Sequence, residues 1–180
     1  MISALKNGFT LVELLVVIAV IALTALIATI NFRYFSQVHV VEQRMKDAQS
    51  FIQNARASAT TSSLCGTSGG ALWIVEFQSD RKTINLKCKI GSSSALLQKT
   101  LELKDSIEVS SIIGSAPCGP SPLFPLGEVS IQFAPLSGST SFSGVDRCLQ
   151  SSQAIKVTFK NLKNNSEKIL NINRSGNVYE

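Results

Sequence analysis

The chain has 180 residues, is 44% apolar, and carries four cysteines, one histidine and a formal net charge of +5. That length accommodates one domain plus one membrane element and leaves no room for two independent cores. The single histidine, His39, and the lack of metal-spaced clusters or a phosphate-type glycine loop argue against a Ser-His-Asp or Cys-His enzyme and against a zinc site.

The first element is the run from Phe9 to Ile30, FTLVELLVVIAVIALTALIATI, which holds one charged residue, Glu13. As a helix it would measure roughly 33 Å, the thickness of a hydrocarbon core. Lys6 on the short N-terminal side predicts that residues 1–8 stay in the cytoplasm and that everything beyond the span is carried across. A secretory signal peptide would place its small-residue cleavage site after the apolar stretch, whereas here the break, Gly8, precedes it.

The string G-F-T-L-V-E-L-L, Gly8 to Leu15, resembles the cleavage and methylation signature of type IV prepilins and type II secretion pseudopilins. The resemblance implies that a prepilin peptidase cuts after Gly8 and methylates the new amino terminus of Phe9, with no cofactor and no catalytic role for the chain itself. It further implies a single-pass protein of the inner membrane, its head outside the cytoplasm, which enters a filament with other pilin or pseudopilin subunits through an inner-membrane assembly platform. Glu13 matches the family's acidic residue. A carboxylate closed into a bundle of apolar helices needs a partner such as the Phe9 amino terminus of a neighbour. A mispaired register would leave both charges unmatched, so the contact acts chiefly through specificity.

Between Gly8 and Gly66 there is neither glycine nor proline. Beyond the membrane stretch, Val38, Val41, Met45, Ala48, Ile52, Ala55 and Ala59 recur at alternating intervals of three and four, one helical stripe. The pattern predicts a helix from Phe9 to about Ala59, on the order of 75 Å long. Many relatives in the resembled family have a proline near the end of the span. Here Ile30 is followed by Asn31, so no bend is obligatory.

After a small polar linker, TTSSLCGTSGG, short alternating segments predict strands. Trp73, Val75 and Phe77 alternate with polar neighbours, as do Ile84, Leu86 and Cys88, and a turn at Ser79–Lys82 sets Phe77 opposite Ile84, Val75 opposite Leu86 and Trp73 opposite Cys88. Further strands are predicted at Leu97–Leu103, Ile107–Ile113 and Val129–Phe133. A closing hairpin sets Ile155, Val157 and Phe159 against Leu170 and Ile172 across a turn at Asn164 and Asn165. The proline-rich CGPSPLFPLGE reads as an irregular loop.

An exported head would oxidise its cysteines, and Cys65, Cys88, Cys118 and Cys148 allow three connectivities. The pairing favoured is Cys65 with Cys88, which the hairpin turns inward, and Cys118 with Cys148, which flank the proline-rich region. The fold class expected is therefore α+β and pilin-like, a long N-terminal helix packed on a small antiparallel β-sandwich head. Its parts are a leader (1–8), a transmembrane helix half (9–30), an amphipathic helix half (31–60) and an extracytoplasmic head (61–180). The order of elements is similar to that of H-type minor pseudopilins and FimT-like minor pilins. The function expected is that of a structural subunit of a type IV pilus or type II secretion pseudopilus. The alternative is a minor pilin whose basic head, with Lys156, Lys160, Lys163, Lys168 and Arg174, binds nucleic acid or a surface ligand. The tail offers Arg174 alone, and no aromatic residues interleave the lysines, so neither route to nucleic-acid affinity is well furnished.

Overall fold

The computed structural model describes residues 10–104, 106–115, 129–144 and 151–180, and for residues 26–38 the backbone alone. Among the described residues the elements are the long helix α1 (Leu11–Thr60) and then the strands β1 (Leu72–Phe77), β2 (Thr83–Lys89), β3 (Leu96–Glu102), β4 (Ile107–Gly114), β5 (Val129–Phe133), β6 (Thr140–Ser143), β7 (Ala154–Asn161), β8 (Glu167–Asn173) and β9 (Val178–Tyr179). The chain forms two compact units, residues 1–38 and 39–180. The fold is α+β, with antiparallel sheets, as expected.

In the first unit the side chains from Leu11 to Leu23 are exposed and, apart from Glu13, apolar. Thr24 hides its hydroxyl by donating to the carbonyls of Val20 and Ile21, both at 3.0 Å. Among the described residues no helix is long and apolar enough to cross a membrane. The transmembrane half expected over 9–30 is therefore not reproduced.

In the second unit the helical stripe is buried as its spacing requires: Val41, Met45, Ala48, Ile52, Ala55 and Ala59 are all fully buried. They share one apolar cluster with the inner residues of both sheets. Burying a valine, methionine or isoleucine side chain contributes roughly 1.5–3 kcal/mol, and the alanines let the strands approach, which explains why this part of α1 folds with them. The helix ends without glycine. Ser62 takes a left-handed conformation, φ 52°, so that its N–H reaches Ala59 O at 3.3 Å while the N–H of Ser63 reaches Ser58 O at 2.9 Å. These two bonds form the Schellman motif.

One sheet runs β3-β2-β1-β5-β6 and the other β4-β7-β8-β9. The first hairpin has the expected register, Phe77 opposite Ile84, Val75 opposite Leu86 and Trp73 opposite Cys88. All six side chains are buried. In the last hairpin Ile155 faces Ile172 and Val157 faces Leu170, while Phe159 stands opposite Lys168. Along β4 the buried residues are Ile107, Val109 and Ile112, one position out of strict alternation. A shift in pairing with β7 between Val109 and Ser111 restores the phase, as a β-bulge does. The proline-rich loop expected from Cys118 to Glu128 lies outside the described residues.

Candidate functional site

Leu14 N–H donates to Thr10 O at 3.2 Å, which makes Thr10 the N-cap of α1. Its hydroxyl accepts the N–H of Glu13 at 3.3 Å. In return Glu13 Oε2 accepts both the Thr10 N–H at 3.0 Å and the Thr10 hydroxyl at 2.9 Å. This is a capping box, T-x-x-E, which was not anticipated from the sequence; the signal that could have found it is the spacing Thr10-Leu11-Val12-Glu13. Both donor bonds end on Oε2. Oε1 accepts none from the described residues and stays available at the helix start. The cleavage pair expected at Gly8 and Phe9 lies outside the described residues.

Residues 4–29 match the prokaryotic N-terminal methylation motif. The motif supports a place with the type IV pilins and pseudopilins, and it indicates a pilin-like substrate of prepilin peptidase that assembles with other pilins. The match spans residues 4–29, which include the capping box and most of the apolar stretch, and leaves the strands untouched. No curated protein and no solved structure matches the chain.

In this pilin-like chain the end of α1 is fastened to the strands at three points. Cys65 is bonded to Cys88 on the inner face of β2. Leu136, in the β5–β6 loop, donates its N–H to Ala59 O at 3.0 Å and so occupies one of the last helical carbonyls. Arg56 reaches the β8–β9 turn, donating from Nη1 to Gly176 O at 3.2 Å and to Asn177 Oδ1 at 3.3 Å. Gly176 has φ 77°, and a Cβ there would stand 2.7 Å from Arg56 Nε, so only glycine lets the guanidinium lie across the turn. Nothing in the sequence pairs Arg56 with a turn 120 residues further on. Of the expected cysteine pairs the structure brings together Cys65 and Cys88. Cys118 and Cys148 lie outside the described residues.

The basic hairpin is less open than its composition implies. Lys160 pairs with Glu167 at 3.2 Å and Lys168 with Glu180 at 2.6 Å. Arg174 spends its Nε–H on Ser152 O at 2.9 Å. His39 stands 3.8 Å from Glu42, one turn along the helix, with its side chain 55% exposed.

Proposed function

We propose that the chain is a minor pilin or pseudopilin, cut by prepilin peptidase between Gly8 and Phe9 and methylated on Phe9, whose work is packing and which catalyses no reaction. The observation that carries the reading is the methylation motif over residues 4–29. The capping box adds a physical reason for the acid. With Oε2 holding Thr10, Oε1 of Glu13, which accepts no bond from the described residues, is an acceptor at the start of an apolar helix, where the cationic terminus of an adjoining subunit would find it. Residues 9–30 are taken to span the inner membrane with the head outside the cytoplasm, and later to line the filament core. The exposure of every large side chain from Leu11 to Leu23 supports a surround of lipid or other apolar helices, since a soluble protein rarely shows so large an apolar patch. The assembly platform and the neighbouring subunits belong to the host machine. The order of strands, with a tryptophan-bearing first hairpin and a closing hairpin, agrees with an H-type, FimT-like head of β-sandwich form.

The test is the intact mass of the protein extracted from its own membranes, with and without an active prepilin peptidase. A species that begins at methylated Phe9 only when the peptidase is active supports the reading. An unprocessed Met1 form in both cases removes it.

A further inference from the structure

Between the last turns of α1 and the β8–β9 turn lies an open cleft of about 520 Å³, lined by Gln53, Arg56, Thr60, Gly176 and Asn177, with Ala57 and Val178 as its apolar part. Arg56 is its one charged lining group. The side chain is half-buried and held in place, lying over Gly176 with Gly138 on another side, where a Cβ would stand 3.8 Å from Nε. Both of its hydrogen bonds leave from Nη1. A guanidinium has five N–H donors in a rigid fork, so Nε and Nη2 retain unused ones. Among the described residues no carboxylate pairs with it.

A fixed, half-buried guanidinium with free donors and no counter-charge is complementary to a planar anion that two parallel N–H groups can grip. One positive charge among neutral amides and a hydroxyl matches a monoanion better than a phosphate, which carries close to two charges. The cleft is larger than a bare carboxylate needs. The amides of Gln53 and Asn177 can donate to and accept from peptide groups, and Ala57 and Val178 offer apolar contact. We propose that this cleft binds a carboxylate borne on a peptide, that is, an acidic side chain or chain end of a partner protein. The inference rests on the head alone, so it stands whether or not the N-terminal segment is processed and inserted.

The test uses the full chain in detergent micelles and follows the backbone amide signals of Gly176 and Asn177 by NMR. The probes are N-acetyl-glutamate amide, acetate, inorganic phosphate and sodium chloride at matched ionic strength. The expected result is a saturable shift with N-acetyl-glutamate amide, several-fold weaker binding of acetate and phosphate, and no saturation with chloride. Arg56→Lys, which keeps the charge and loses the fork, should weaken binding about tenfold. Ala57→Trp, at an exposed helix position, should abolish it by filling the cleft while leaving thermal unfolding unchanged. Shifts that follow ionic strength alone, phosphate or acetate binding as tightly as the peptide analogue, or saturation that persists in folded Ala57→Trp would each overturn the proposal.

Discussion

Cys65 and Cys88 are joined by a disulfide whose Cα atoms stand 5.8 Å apart, and both residues are buried. The bond links the segment just past α1 to the inner face of β2, where Cys88 lies opposite Trp73 and accepts a contact from Gln98 Nε2 at 3.1 Å. It closes a loop across a separation of 23 residues. A loop of that length restricts the unfolded chain by an amount corresponding to about 3 kcal/mol. The double variant Cys65→Ala/Cys88→Ala should lose about that much in urea unfolding, with the strand content by circular dichroism unchanged. An unchanged urea midpoint would show that the bond contributes nothing.

Ser62 holds the left-handed position of the helix stop, φ 52°, which costs a residue with a Cβ roughly 1 kcal/mol and glycine nothing. Ser62→Gly should therefore raise stability by about 0.5–1 kcal/mol, read as a higher unfolding midpoint. The gain is reduced by the greater freedom of glycine in the unfolded chain. A lower midpoint would mean that the serine hydroxyl has a role the backbone argument omits.

In the β1–β2 turn, burial alone would raise the pKa of Asp80, but the Thr83 hydroxyl and the N–H groups of Lys82 and Thr83 outweigh it and hold the carboxyl below its ordinary value. The bonds are 2.5, 2.9 and 2.9 Å long. A depressed folded pKa contributes stability that is present above the unfolded value, about 3.9, and is lost as pH falls through the folded one. The gap in urea midpoint between the native chain and Asp80→Asn should be flat above about pH 5 and shrink on acidification below about pH 4. A gap that stays constant down to pH 2 would show that the ionised form has no special role.

Thr10 and Glu13 bond reciprocally, so each substitution to alanine should loosen the first turn of α1, visible as faster amide exchange at Leu11–Leu14 in micelles. Their effects on filament incorporation should differ. Thr10→Ala leaves the carboxylate in place and should assemble nearly as well as the native chain, whereas Glu13→Ala removes the charge and should incorporate poorly. Equal loss in both would make helix capping the whole role of the acid.

Local periodicity made much of this fold legible. The stripe from Val41 to Ala59 and the alternation of Trp73, Val75 and Phe77 against Ile84, Leu86 and Cys88 each specify which side of an element is apolar, and the turn length then fixes register without further information. The capping box at Thr10 and Glu13 was not anticipated, although it depends only on residues three apart. Two strands were not legible. β6, Thr140–Ser143, has one apolar residue, Phe142, within a run of serine and glycine, and β9 is two residues long. Both exist because β5 and β8 offer open edges to pair with.

By itself, then, the sequence determined the N-terminal motif, the long helix with its buried face and the register of the hairpins, because each is written in residues a few positions apart. Tertiary structure alone decided which elements share a sheet, that Leu136 would occupy a carbonyl at the end of the helix, and that Arg56 would lie across Gly176. Those outcomes depend on shape and hydrogen-bond supply between segments as much as 129 residues apart, where no spacing in the chain records the meeting.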